Sequence, residues 1–186
     1  VSKEMPEEFE QLMRRSFLVT LEHAESVYDA LLKKDYKQLK ATRSLEQTNN
    51  KFTELCRRIL YKHGYKEQDK TIFAYNIARD LERIGDRYKY MSDFILDNKI
   101  IVNKDTLELM KRVNEYLRGF YKLYYKFVPE LAKKYNDERY KIIEEADKLI
   151  KRKLNKDPKE LLVIAYLKEL TQLIYEPYAP YFSMIL

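Results

Sequence analysis

Between Phe73 and Ile95 the apolar residues recur at intervals of three and four: Phe73, Ile77, Leu81, Ile84, Tyr88, Met91 and Ile95. That spacing keeps them on one face of an α-helix and marks the buried side. A similar stripe runs through Phe9, Leu12, Met13, Phe17, Leu21, Ala24, Val27, Tyr28 and Leu31, predicting a helix from about Glu7 to Lys33 with Pro6 in its first turn. A weaker one, Leu39, Leu45, Asn49, Phe52, Cys56 and Ile59, predicts a second helix from Asp35 to just before Gly64. Asp69 is placed to cap the third, and Asn103 and Asp105 to start a fourth, whose stripe of Leu107, Met110, Val113, Leu117, Tyr121, Tyr124 and Val128 reaches Pro129. Asn136 or Asp137 opens a fifth with Tyr140, Ile143, Ile150 and Leu154 apolar. Asp157-Pro158 opens a sixth that Pro177 stops.

Composition agrees with six helices joined by short turns. The 186 residues include only three glycines and five prolines, 35% are charged, and no alternating strand pattern of useful length is present. The expected class is all-α. With 45% hydrophobic residues there is material for a core. The net charge of +6 is dispersed among thirty acidic residues, so direct nucleic-acid binding by this segment is not expected, and no stretch is apolar enough to span a bilayer. Cys56 is single and lies on or next to an apolar stripe, which predicts a buried thiol and, with no signal peptide, a reducing cytoplasmic setting. His23 and His63 have no metal-ligand spacing, and no nucleophile with a base or glycine-rich phosphate loop predicts an enzyme.

The chemistry worth weighing lies one residue off the stripes. Glu82 and Asp86 stand one helical turn apart beside the apolar face of the third helix, and Glu46 and Asn50 do the same on the second. If the two shoulders face each other, these four residues form an oxygen cluster suited to a divalent or transition metal, such as iron or zinc. The competing expectation is ordinary ion pairing: Glu46 with Arg43 or Asn50, Glu82 with Arg79, and Asp86 with Lys89 or Arg83.

The run Ala78-Arg79-Asp80-Leu81-Glu82-Arg83-Ile84-Gly85-Asp86 resembles the signature helix of PhoU-type phosphate-uptake regulators, which carries a LERIGD-like core, and Leu45 to Leu60 resembles the helix before it. The likeness covers residues 7 to 97 best. It implies an all-helical, elongated bundle of two three-helix repeats, 1–98 and 99–186, with Glu46, Asn50, Glu82 and Asp86 as metal ligands and Asp80 and Asp93 peripheral to them. It further implies a cytoplasmic regulator that docks on a phosphate ABC-transporter ATPase or a signalling protein, as a monomer or homodimer, and meets the membrane only through that partner.

The second repeat departs from the pattern. Setting Leu170 against Leu81 puts Thr171 at the position of Glu82 and Tyr175 at that of Asp86, while Asp147 matches Glu46 and Lys151 replaces Asn50. A lysine repels a cation, so at most the first repeat is expected to hold metal. The chain opens on Val1, and some archaeal relatives of that family carry a small swapped-hairpin DNA-binding domain upstream; Arg57-Arg58-Ile59-Leu60 is similar to those proteins. The alternatives are therefore a metal-free helical adaptor or dimerisation module, or the C-terminal part of a DNA-binding regulator. A di-metal carboxylate enzyme would need Glu-x-x-His pairs that are missing. Finally, Tyr116, Phe120, Tyr121, Tyr124, Tyr125 and Phe127 cover more than one face of the fourth helix, which favours core burial over a partner surface.

Overall fold

The stripe from Phe9 to Leu31 forms one face of a helix of 30 residues, α1 (Glu4–Lys33), and every member but Tyr28 is buried. The structure is a computed structural model that describes residues 4–154 and 156–186; Val1 lies outside them. After α1 come α2 (Tyr36–Ala41), α3 (Arg43–His63), α4 (Thr71–Asn98), α5 (Lys104–Tyr125), α6 (Pro129–Lys153), α7 (Pro158–Tyr175) and α8 (Tyr178–Ile185). A single 3-10 turn, Gln68–Lys70, precedes α4, and no strand occurs among the described residues. The protein is an all-helical bundle. Helices α1, α3 and α4 pack on one another, as do α5, α6 and α7, and the two groups meet through α4 against α7 and α1 against α5.

The six predicted helices answer to seven of these, α1 to α7, with differences at their ends. The second is split at Thr42, whose hydroxyl donates back to the Leu39 carbonyl at 2.7 Å and competes with the regular ladder. Asp35 does cap α2, accepting from the Gln38 amide at 2.9 Å. Gly64 ends α3 at φ 74 and ψ −178, a conformation only glycine adopts without strain. Asp69 does not cap α4: it lies inside the 3-10 turn, and Lys70 takes the cap position without a side-chain bond.

Pro129 begins a helix instead of bounding one. Val128 before it is extended, as the proline ring demands, and the fixed φ of Pro129 suits the first turn of α6, which therefore starts well before Asn136. The face of α6 also differs from expectation. Ala132, Tyr135, Ile142, Ala146 and Leu149 are buried, whereas Tyr140 and Leu154 are 60% and 58% exposed. Asp157 caps α7 as expected, accepting from the amides of Lys159 and Glu160. Pro177 stops that helix, but the chain then forms α8, tied to α5 by the Tyr181 hydroxyl donating to the Leu123 carbonyl at 2.5 Å.

The aromatic stretch of α5 is core. Tyr116 and Phe120 are buried, Phe17 of α1 lies against Phe120, Tyr121, Tyr124 and Tyr125, and Tyr116 stacks on Tyr135 with ring centroids 4.2 Å apart. Only Phe127, at 38%, reaches solvent appreciably. Polar side chains inside the bundle fix the helices against one another. Tyr88 of α4 donates to Asn114 Oδ1 of α5 at 2.7 Å, and the Asn114 amide donates to the Ala24 carbonyl of α1 at 2.9 Å. Buried groups of this kind favour one arrangement, because any other strands a polar atom.

Candidate functional site on the α3–α4 seam

Helices α3 and α4 run antiparallel, so the shoulder of each residue series meets the other in reverse order. Glu46, near the start of α3, lies against the later turns of α4. Its carboxylate Oε1 accepts from Asn50 Nδ2 at 2.7 Å, one turn on, and from Lys89 Nζ at 2.8 Å. The same Lys89 ammonium donates to Asp86 Oδ1 at 2.8 Å. Glu46 and Asp86 are thus bridged by one lysine, with Asn50 held to Glu46 beside them. Glu82 is not part of that group: its Oε2 pairs with Arg57 and stands 3.2 Å from the Thr53 hydroxyl.

The peripheral candidates separate further. Asp93 lies at the outer end of the seam, 3.7 Å from Arg43. Asp80 faces away, accepting from Arg79 at 3.0 Å and Arg83 at 3.3 Å, and Arg83 also pairs with Glu176 at the end of α7. Burial pushes the Asp80 carboxyl up, against the pull of those two guanidinium groups.

From sequence, Lys89 is expected only as an ion-pair partner of Asp86, which it is; its bond to Glu46 and the place of Arg57 beside Glu82 are not expected. Lys89 and Arg57 continue the same shoulders at helical spacing, Glu46-Asn50-Thr53-Arg57 on α3 and Glu82-Asp86-Lys89-Asp93 on α4, so extending the α4 series by one turn and the α3 series by two would have found them. Antiparallel packing then sets Arg57 beside Glu82 and Lys89 beside Glu46. Burial alone would lower the pKa of Lys89; hydrogen bonds to Asp86 and Glu46, and their negative charge, outweigh it and push the ammonium up to about 12.

As arranged, these side chains do not fit a bound metal. The nearest oxygens of Glu46 and Asp86 are already engaged by one ammonium, and a divalent ion on the same atoms would sit beside that positive charge. Glu82 is turned to a guanidinium. Among the described residues no three His, Cys, Asp or Glu side chains are grouped closely enough to hold a metal. One donor is left over: the amide oxygen of Asn50 is buried without a partner.

The second half treats the matched positions differently. Thr171 is buried and donates to the Leu167 carbonyl at 2.9 Å, and the Tyr175 hydroxyl reaches Asn136 Oδ1 at 3.1 Å. Asp147 pairs with Lys168 of α7 at 2.6 Å. The α6–α7 seam therefore carries Asp147 with Lys168 and, at its other end, Glu160 with Lys153.

Compared with solved structures, the bundle superposes on the crystal structure of the phosphate transport system regulatory protein PhoU from Streptococcus pneumoniae, with a TM-score of 0.74 over 98% of this chain and 95% of that one. The fold is PhoU-like. Sequence identity between the two is 16%, so it is the helix arrangement that is shared. No protein-family model and no curated protein sequence matches the chain. Within this PhoU-like fold the seam just described lies where the LERIGD-like run of α4 meets α3. None of the helices among the described residues is long and apolar enough to cross a membrane.

Proposed function

We propose that this chain is a regulator of phosphate uptake or phosphate signalling that works by docking on another protein, the ATPase of a phosphate ABC transporter or a signalling partner. The observation that carries this reading is the extent of the likeness to the streptococcal regulator, which takes in nearly the whole of both chains. The LERIGD-like run on α4 supports it independently. In this reading the protein acts in the cytoplasm as a monomer or homodimer, its halves 1–98 and 99–186 are three-helix repeats of which the second is degenerate, and it meets the membrane only through the transporter.

Cells lacking the gene test it. They should go on taking up radiolabelled phosphate at high affinity in phosphate-rich medium, and the purified chain should retain the transporter ATPase or the signalling partner on a column. Normal shut-off of uptake, with neither protein retained, would sink the reading.

A second reading, a metal-free helical adaptor or dimerisation module, draws support from Lys89 and Arg57, which satisfy the acidic shoulders from within the chain. Iron or zinc on Glu46, Asn50, Glu82 and Asp86, the ligand set the resemblance implies, is separable from the first reading. It would require both cationic side chains to swing away.

A further inference from the structure

The α3–α4 seam alternates in charge along its length: Arg43 against Asp93, Glu46 against Lys89, and Arg57 against Glu82. Its middle pair is largely removed from water, the Lys89 side chain being 14% exposed and that of Glu46 5%. Two carboxylates brought together in such a place need a positive charge between them. Lys89 supplies it, bonded to both at 2.8 Å.

We propose that Lys89 and Arg57 are internal counter-ions standing where the family resemblance implies metal, so that this chain closes its α3–α4 seam and holds its fold without a bound metal ion. Tethering decides the competition. The ammonium is carried on α4 one turn from Asp86, so its local concentration at the two carboxylates far exceeds that of any free cation. A metal would have to expel the lysine and then bear its repulsion. The inference rests on the seam alone, and it stands or falls separately from the regulatory role.

The test combines metal content with thermal stability on the full chain purified without an affinity tag. By plasma mass spectrometry the native protein should carry no stoichiometric iron, zinc or manganese, and excess EDTA or added Zn²⁺ or Mn²⁺ should leave its Tm unchanged. Lys89→Met should lower the Tm in EDTA by roughly 10 °C, because it leaves the partly buried Glu46 and Asp86 facing each other. Added Zn²⁺ or Mn²⁺ should recover a good part of that loss in the variant, while Lys89→Arg stays indifferent to metal. Stoichiometric metal in the native chain that Glu46→Gln/Asp86→Asn removes, or a native Tm that falls in EDTA, would overturn the proposal. So would a folded Lys89→Met chain whose Tm ignores metal. If Lys89→Met does not fold, the native metal content and EDTA response decide the matter by themselves.

Discussion

Asn49 and Gly85 meet across the α3–α4 seam so closely that a Cβ on Gly85 would stand 2.7 Å from the Asn49 amide nitrogen. That nitrogen donates to the Leu81 carbonyl at 3.0 Å, the same carbonyl that closes the helical turn to Gly85. Its amide oxygen lies 3.2 Å from the Thr20 hydroxyl of α1. Asn49 is fully buried and so joins three helices at one point, and the missing side chain at Gly85 is what lets it reach the backbone.

Gly85→Ala should therefore destabilise the protein although alanine is the better helix former. Helix propensity returns up to about 1 kcal/mol, while displacing a hydrogen-bonded, buried amide costs about 1–3 kcal/mol. The expected net effect is a Tm lower by a few degrees. In Asn49→Ala/Gly85→Ala the clash is gone, so the two changes together should cost clearly less than the sum of the single ones. Additive losses would mean that the contact is not the reason for the glycine.

His23 is fully buried, both ring nitrogens lack a partner, and its ring centroid lies 5.8 Å from that of Tyr88. Burial first, and the charge of Lys89 second, lower its pKa from 6.5 to about 4. Near pH 7 the ring is mostly neutral in both folded and unfolded chains, so its protonation costs little stability there. As the pH falls below about 6.5 the unfolded chain takes up the proton first, so stability drains away until the folded ring titrates near 4. The loss over that window should total about 3 kcal/mol. Urea unfolding at several pH values measures it, and His23→Leu should flatten the profile above pH 5.

Glu160 carries a different dependence. Its carboxylate is fully buried at the start of α7 and accepts from the Asn103 backbone amide at 2.9 Å, the Asn103 side chain at 2.5 Å, the Thr106 hydroxyl at 2.7 Å and Lys153 Nζ at 2.8 Å. Burial would raise its pKa, but those donors outweigh it and hold the group below the ordinary carboxylate value. Its contribution is whole above the unfolded pKa and is lost as the pH falls through the folded one. Glu160→Ala should cost about 3–5 kcal/mol by leaving the Asn103 and Thr106 donors unpaired and Lys153 with Asp105 alone, whereas Glu160→Gln should cost less. A loss below about 1 kcal/mol for the alanine variant in urea unfolding would refute the lock.

The main helices and most of their buried faces were legible because apolar spacing records a helix directly. The stripe from Ile77 to Ile95 is buried at every position, and the cap at Asp157-Pro158 is where sequence places it. Pro129 misled for a physical reason: the same fixed φ and missing N–H that break a helix interior also suit a first turn, and which applies depends on the neighbours. α8 carries apolar residues of several kinds in only eight positions, too few for a period to show. The left-handed lysines Lys34 and Lys99 that close α1 and α4 leave no signal either, since lysine has no preference for that conformation.

At the seam the division is sharpest. The sequence alone determined that Glu46, Asn50, Glu82 and Asp86 stand on two helix shoulders, because i and i+4 share a face whatever surrounds them. It could not say which charge on one shoulder meets which on the other, since that follows from the direction and register of packing between helices. Tertiary structure decided it: antiparallel α3 and α4, set in register by Asn49 against Gly85, bring Lys89 between Glu46 and Asp86 and turn Glu82 to Arg57. A local code fixes where a side chain stands on its own helix, and only packing supplies its partner.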